Sequence, residues 1–105
     1  MPQMDKLNKA IELAREPGSC QYVTDGEPCC VIAQLYILEG GTVDELRQWR
    51  STVISHVLYE VNPPQLASYP KDLLADLQYT WDAGCNDAET RREIMRQRVR
   101  KAASL

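Results

Sequence analysis

The residues able to do metal or thiol chemistry are few. They are Cys20, Cys29, Cys30 and Cys85, with the single histidine His56. Structural zinc sites draw their ligands in close pairs, with two to four residues between partners. Here Cys29 and Cys30 are adjacent, eight residues separate Cys20 from Cys29, and Cys85 lies far along the chain. That spacing favours thiols packed as small hydrophobes over a metal centre. A cysteine nucleophile would need His56 beside Cys20, Cys30 or Cys85, and a third group to orient the imidazole. No nucleophile elbow or cysteine-protease signature accompanies them. Carboxylates pair at Asp44-Glu45, Asp72/Asp76 and Asp87/Glu89. The first and last are explained by helix capping and the field at a helix start. Asp72 and Asp76, four apart, form a mildly repulsive pair on an exposed helix face, which a metal or a basic partner would relieve. No phosphate loop, dinucleotide fingerprint, zinc-protease or EF-hand pattern occurs. The expectation is a protein that is not an enzyme and uses no cofactor and no metal.

Basic chemistry is concentrated at the C-terminus. Residues 91–105 carry six basic side chains and one acid, a net of +5, whereas residues 1–90 carry 14 acids and six bases, a net of −8. Arginine suits bidentate phosphate or carboxylate contacts, so Arg92, Arg96 and Arg98 are candidate contacts for nucleic acid or an acidic partner. An acidic body opposes DNA, which makes a small nucleic-acid-binding regulator an alternative rather than the leading reading. A zinc- or thiol-dependent protein built on the four cysteines is a further alternative. The acidic body itself suits approach to a positively charged partner surface.

The elements that must position these groups follow from apolar periodicity. Met4, Leu7, Ile11 and Ala14 mark one helix from about Gln3 to Glu16, stopped by Pro17-Gly18. Cys20 to Thr24, the turn pair Asp25-Gly26 and Glu27 to Cys30 read as a β-hairpin with an edge return strand, since Pro28 cannot donate a ladder bond. Cys29 to Leu38 is apolar except Gln34, a buried helix that Gly40-Gly41 ends. Thr42 with Glu45 forms a capping box. The stripe Leu46, Trp49, Val53, Ile54, Val57, Leu58 and Val61 predicts one long helix as far as Asn62-Pro63-Pro64. Pro70 opens a helix buried through Leu73, Leu74, Leu77 and Trp81, stopped by Gly84. Asn86 is expected to cap the last helix, with Glu89 three residues on.

Together these predict a mainly α fold: a compact bundle of about five helices with a short hairpin after the first, one domain over residues 1–105. A chain 44% hydrophobic and 26% charged is ordinary for a soluble globular protein. No apolar run is long enough to span a bilayer, so no membrane partner is expected. The start MPQMDKLNKA lacks the apolar centre of a signal peptide, which predicts a cytoplasmic protein whose cysteines are reduced thiols.

The segments SCQYVTDGEPCCVIAQLYILEGG and DLLADLQYTWDAG give the chain a layout, over roughly residues 4–99, that resembles small helical proteins of phages and prophages. Some proteins of that kind are anti-CRISPRs, which bind CRISPR effector complexes and block DNA recognition or nuclease recruitment. The resemblance implies a viral inhibitor of a host protein complex, acting in the host cytoplasm, and supplies no catalytic residue. On that reading a protein–protein contact surface should join exposed acids to aromatic anchors. Its candidates are Tyr59, Glu60, Tyr69, Asp72, Asp76 and Tyr79, with Trp49 as a further anchor and Trp81 read as core. Five amphipathic elements also leave room for a spare apolar stripe, and hence for a homodimer.

Overall fold

The apolar stripe at the start of the chain becomes helix α1 (Pro2–Leu13), with Leu7, Ala10, Ile11 and Ala14 all buried. A computed structural model describes residues 2–15, 22–24, 26–50, 52–83 and 87–104. The expectations placed on Pro17-Gly18, Cys20, Asp25, Gly84, Cys85 and Asn86 fall outside these residues. The fold is mainly α. α2 (Val31–Leu38) is its centre, with Val31 to Tyr36 buried in sequence, α1 packed on one side and α5 (Lys71–Ala83) on another. α6 (Ala88–Ala103) closes the bundle against α1 and α5. Each large apolar side chain so enclosed contributes about 1.5–3 kcal/mol. Among the described residues, no helix is long and apolar enough to cross a membrane.

The expected hairpin is not supported at the length drawn from the sequence. Among the described residues, antiparallel pairing joins Val23 with Pro28 and Thr24 with Glu27, the Cys29 N–H adds one bond to the Tyr22 carbonyl at 3.0 Å, and no larger sheet is built on it. Pro28 lacks an N–H to extend the ladder, and Tyr22 leaves the extended region altogether, at φ 72°. That left-handed conformation is rare for an aromatic residue. It is held by a buried ring and by a hydroxyl that donates to the Thr52 carbonyl at 2.6 Å.

Helix ends follow the local chemistry. Cys30 caps α2, its Sγ accepting from the Ala33 N–H at 3.5 Å. At the other end the Gly40 N–H donates to Ile37 and the Gly41 N–H to Tyr36, with Gly40 at φ 96°. This crossed pair of bonds satisfies carbonyls that the helix leaves open. The buried Gln34 amide donates to the carbonyls of Leu13 (3.2 Å) and Pro28 (2.8 Å), which stitches α1 and the turn onto α2. Thr42 and Glu45 form the reciprocal capping box of α3 (Val43–Gln48).

The long helix expected from Val43 to Val61 is broken. α3 ends at Gln48, α4 is the short turn Ile54–His56, and Val57–Val61 continues it as a π-helix. The β-branched run Thr52-Val53-Ile54 disfavours continuing the helix. The bond from Tyr22 to Thr52 satisfies a carbonyl that the break would leave open. Val53 is consequently 63% exposed and Val61 47%, so the apolar stripe is not buried along its whole length. At the last helix the cap is Asp87, whose carboxylate accepts from the Thr90 N–H at 2.8 Å, where the sequence suggested Asn86.

Candidate functional site

The π-helical turn sets the geometry of the exposed face. The Asn62 N–H reaches back five residues to the Val57 carbonyl at 2.9 Å, and Asn62 ends the turn in the left-handed region at φ 46°. Such wide turns recur at functional positions. Here the turn keeps Val57 and Leu58 inside while presenting Tyr59, Glu60 and Val61 to solvent. The Tyr59 hydroxyl donates to Asp72 Oδ1 at 2.8 Å, and this bond raises the Tyr59 hydroxyl above its ordinary range. On α5, Asp72, Asp76 and Tyr79 follow at spacings of four and three, which places them on one helix face. Tyr59 and Tyr79 are each 53% exposed. The Asp72/Asp76 repulsion is answered within the chain: Tyr59 holds the first, while Arg98 Nη1 holds Asp76 Oδ1 at 2.5 Å and also donates to Thr80 Oγ1 at 2.7 Å.

Two of the proposed anchors lie elsewhere. Tyr69 is 3% exposed, with its ring in the core and its hydroxyl donating to Glu39 Oε2 at 3.0 Å. Trp49 is 6% exposed and meets the rings of Tyr22 and Tyr36 edge-on, with centroids at 5.8 Å and 4.6 Å. The structure therefore joins Tyr59 to Asp72, sets Asp72, Asp76 and Tyr79 along one face of α5, leaves Glu60 exposed next to Tyr59 on the π turn, and buries Tyr69 and Trp49 in the core. Trp81 is fully buried, its indole N–H donating to the Arg15 carbonyl at 2.9 Å.

The arginines of α6 are committed internally. Arg92 donates to the carbonyls of Ile11 (3.2 Å) and Ala14 (2.6 Å), and its guanidinium lies 5.1 Å from the centre of the Trp81 ring. It thus acts as a cap for the open carbonyls at the end of α1. Arg96 pairs with Glu12, with Glu89 at 3.2 Å and with Glu93 at 3.1 Å, a cluster that raises its basicity further. Arg98 is held by Asp76, and Arg91 donates to the Trp81 carbonyl at 2.7 Å.

Among the described residues, thiol chemistry finds little support in the local environments. Burial pushes the Cys30 thiol up to about 12, so it remains protonated at neutral pH and is a poor nucleophile. Cys29 is disulfide-bonded, which corrects the reading of four reduced thiols. His56 is exposed on α4. Among the described residues, no three His, Cys, Asp or Glu side chains are grouped to hold a metal ion.

A cleft of about 320 Å³ opens where the long helix was expected to run straight. Trp49, Val61, Pro63 and Pro64 give it an apolar wall; Glu45, Gln48 and Gln65 line the remainder, with Tyr36 beneath. Hydrogen bonds from Thr42 and Tyr36 hold the Glu45 carboxyl below its usual range. Gln65 Oε1 is buried with no hydrogen-bond donor, a state that costs about 1–3 kcal/mol. Sequence reasoning missed this cleft, because it lies between Glu45 to Trp49 and Val61 to Gln65, segments that one straight helix would have held apart. The Asn-Pro-Pro stop beside an apolar stripe was its sole local signal. Comparisons of the chain with protein-family models, with curated protein sequences and with solved structures found no match.

Proposed function

We propose that this protein is a non-enzymatic protein-interaction module whose contact surface is the face formed by Tyr59, Glu60, Asp72, Asp76 and Tyr79. The observation that carries the reading is the Tyr59–Asp72 hydrogen bond. It orders an exposed tyrosine against a carboxylate, so less side-chain entropy remains to be lost on binding. Tyrosine anchors of this kind carry a large share of interface energy. The phage-like layout of the sequence supplies the target class: a host defence complex of the CRISPR effector type, inhibited by occlusion of its DNA- or nuclease-binding surface in the host cytoplasm. The nucleic-acid alternative is disfavoured by the internal pairing of Arg92, Arg96 and Arg98.

The test is an affinity capture from bacterial lysate, with and without nuclease, using the wild-type chain and the double variant Tyr59→Ala/Tyr79→Ala. The expected result is a multisubunit effector complex that survives nuclease and is lost with the variant. Recovery abolished by nuclease, or equal recovery by the variant, overturns the assignment.

A further inference from the structure

We infer that the Cys29 disulfide is a redox latch on Tyr22, and that breaking it releases the joint between α3 and α4 while the helical bundle stays folded. An aromatic residue at φ 72° is an outlier that persists only where its surroundings over-determine it. On one side the Tyr22 carbonyl accepts from the Cys29 N–H at 3.0 Å, and the Cys29 carbonyl accepts from the Arg15 N–H at 2.7 Å. Cys29 is 2% exposed and disulfide-bonded. The residue that fixes the Tyr22 backbone is therefore itself fixed by a covalent bond. On the other side the Tyr22 ring meets Trp49, the cap of α3, edge-on at 5.8 Å, and its hydroxyl donates to the Thr52 carbonyl at 2.6 Å.

Tyr22 thus bridges the joint from both ends. α4 does little to hold its own start: its capping residue, Val53, makes no side-chain cap bond. The π turn with Tyr59, Glu60 and Val61 follows directly from it. The bundle rests on other contacts, with Leu7, Leu77, Trp81, Met95 and Val99 buried and Arg92 bonded to the end of α1. Opening the latch is a two-electron step. A dithiol reductant attacks the disulfide, the S–S bond breaks, and two electrons and two protons pass to its sulfurs, leaving two thiols. The dithiol closes into its own disulfide. The neighbouring Cys30 takes no part, because its buried thiol stays protonated. Disulfides last in oxidising surroundings and are rare where glutathione or thioredoxin keeps thiols reduced, so the state of the joint reads the redox poise around the chain.

The latch does not depend on the contact face proposed above, since the joint holds or loosens whether or not a partner is bound. The test is ¹H–¹⁵N NMR of the full chain before and after reduction by dithiothreitol, with a redox titration in which alkylated thiols are counted by intact mass. Reduction should shift the Trp49 indole N–H and the backbone amides of residues 52–62, and leave the Trp81 indole N–H and the Met95 and Val99 amides in place. Tyr22→Phe keeps the ring and loses the hydroxyl. Because coupling is reciprocal, this variant should be about fivefold easier to reduce, the scale of one neutral hydrogen bond. Its residues 52–62 should respond less to reduction than those of wild type. Cys29→Ala should show the reduced pattern with no reductant present. Loss of the Trp81, Met95 and Val99 signals on reduction would make the disulfide a staple of the whole fold and overturn the latch. Unmoved amides at 52–62, a Tyr22→Phe titration midpoint equal to wild type, or a chain whose cysteines are all thiols before reduction overturns it as well.

Discussion

At the residue scale, single environments make sharp claims. Asp82 is a carboxylate raised above its ordinary range by burial, against the opposing effects of the Gln78 amide, 2.8 Å away, and Arg91. Its Oδ1 is buried without a hydrogen bond. The native state therefore keeps this proton to higher pH than the unfolded chain does. The contribution is most favourable at low pH and is lost as pH rises through the native value. Asp82→Asn should accordingly gain stability relative to wild type as pH rises from about 4 to about 7, read from urea midpoints across that range. A difference that stays constant with pH would show that Asp82 does not titrate as its burial demands. Gly41 makes a steric claim, because a Cβ there would run into the Tyr36 ring. Gly41→Ala should cost about 1–3 kcal/mol by overpacking, measured by denaturant unfolding. At Gly40 nothing would touch an added Cβ, but φ of 96° strains any side chain.

At the scale of elements, α6 is attached to the bundle as much by arginine as by apolar burial. Only Met95 and Val99 are fully enclosed on it. Arg92, with its side chain 20% exposed, satisfies two carbonyls of α1 and lies over Trp81. Arg92→Ala should lower stability by about 2–3 kcal/mol, the scale of hydrogen bonds to a charged group. Arg100, 62% exposed and 3.4 Å from Glu93, should cost under about 1 kcal/mol when replaced by alanine. Thermal or urea unfolding of the two variants side by side checks the contrast, and similar costs would mean that the α1 carbonyls find other donors. Periodicity identified α6 correctly as a helix with a narrow apolar stripe. It could not tell whether the arginines beside that stripe face solvent or another helix, because their partners Ile11, Glu12 and Ala14 lie about 80 residues earlier.

At the scale of the whole molecule, the charge asymmetry along the chain is largely folded away. The basic C-terminal segment lies against acids of α1, α5 and its own helix, through Glu12, Asp76, Glu89 and Glu93. Neutralised in this way, it should give no salt-dependent retention on duplex DNA at physiological ionic strength. Retention that disappears in an Arg92/Arg96/Arg98 alanine variant would restore the nucleic-acid reading. The sequence by itself determined the mainly helical class, the burial of α2, the capping box at Thr42 and the glycine stop, because these depend on neighbours within one or two turns. The Tyr59 and Tyr79 side chains were legible as exposed for the same reason. What only the tertiary structure decided was how distant groups meet. It split one periodic stripe at Thr52, where a tyrosine 30 residues earlier captures the open carbonyl. It drew Trp49 and Tyr69 inside, and it joined Tyr59 to Asp72 across two helices. A hydrogen bond or aromatic contact between remote residues leaves no periodic trace in the chain. Its energy is nevertheless enough to overrule the small propensity differences that local sequence encodes.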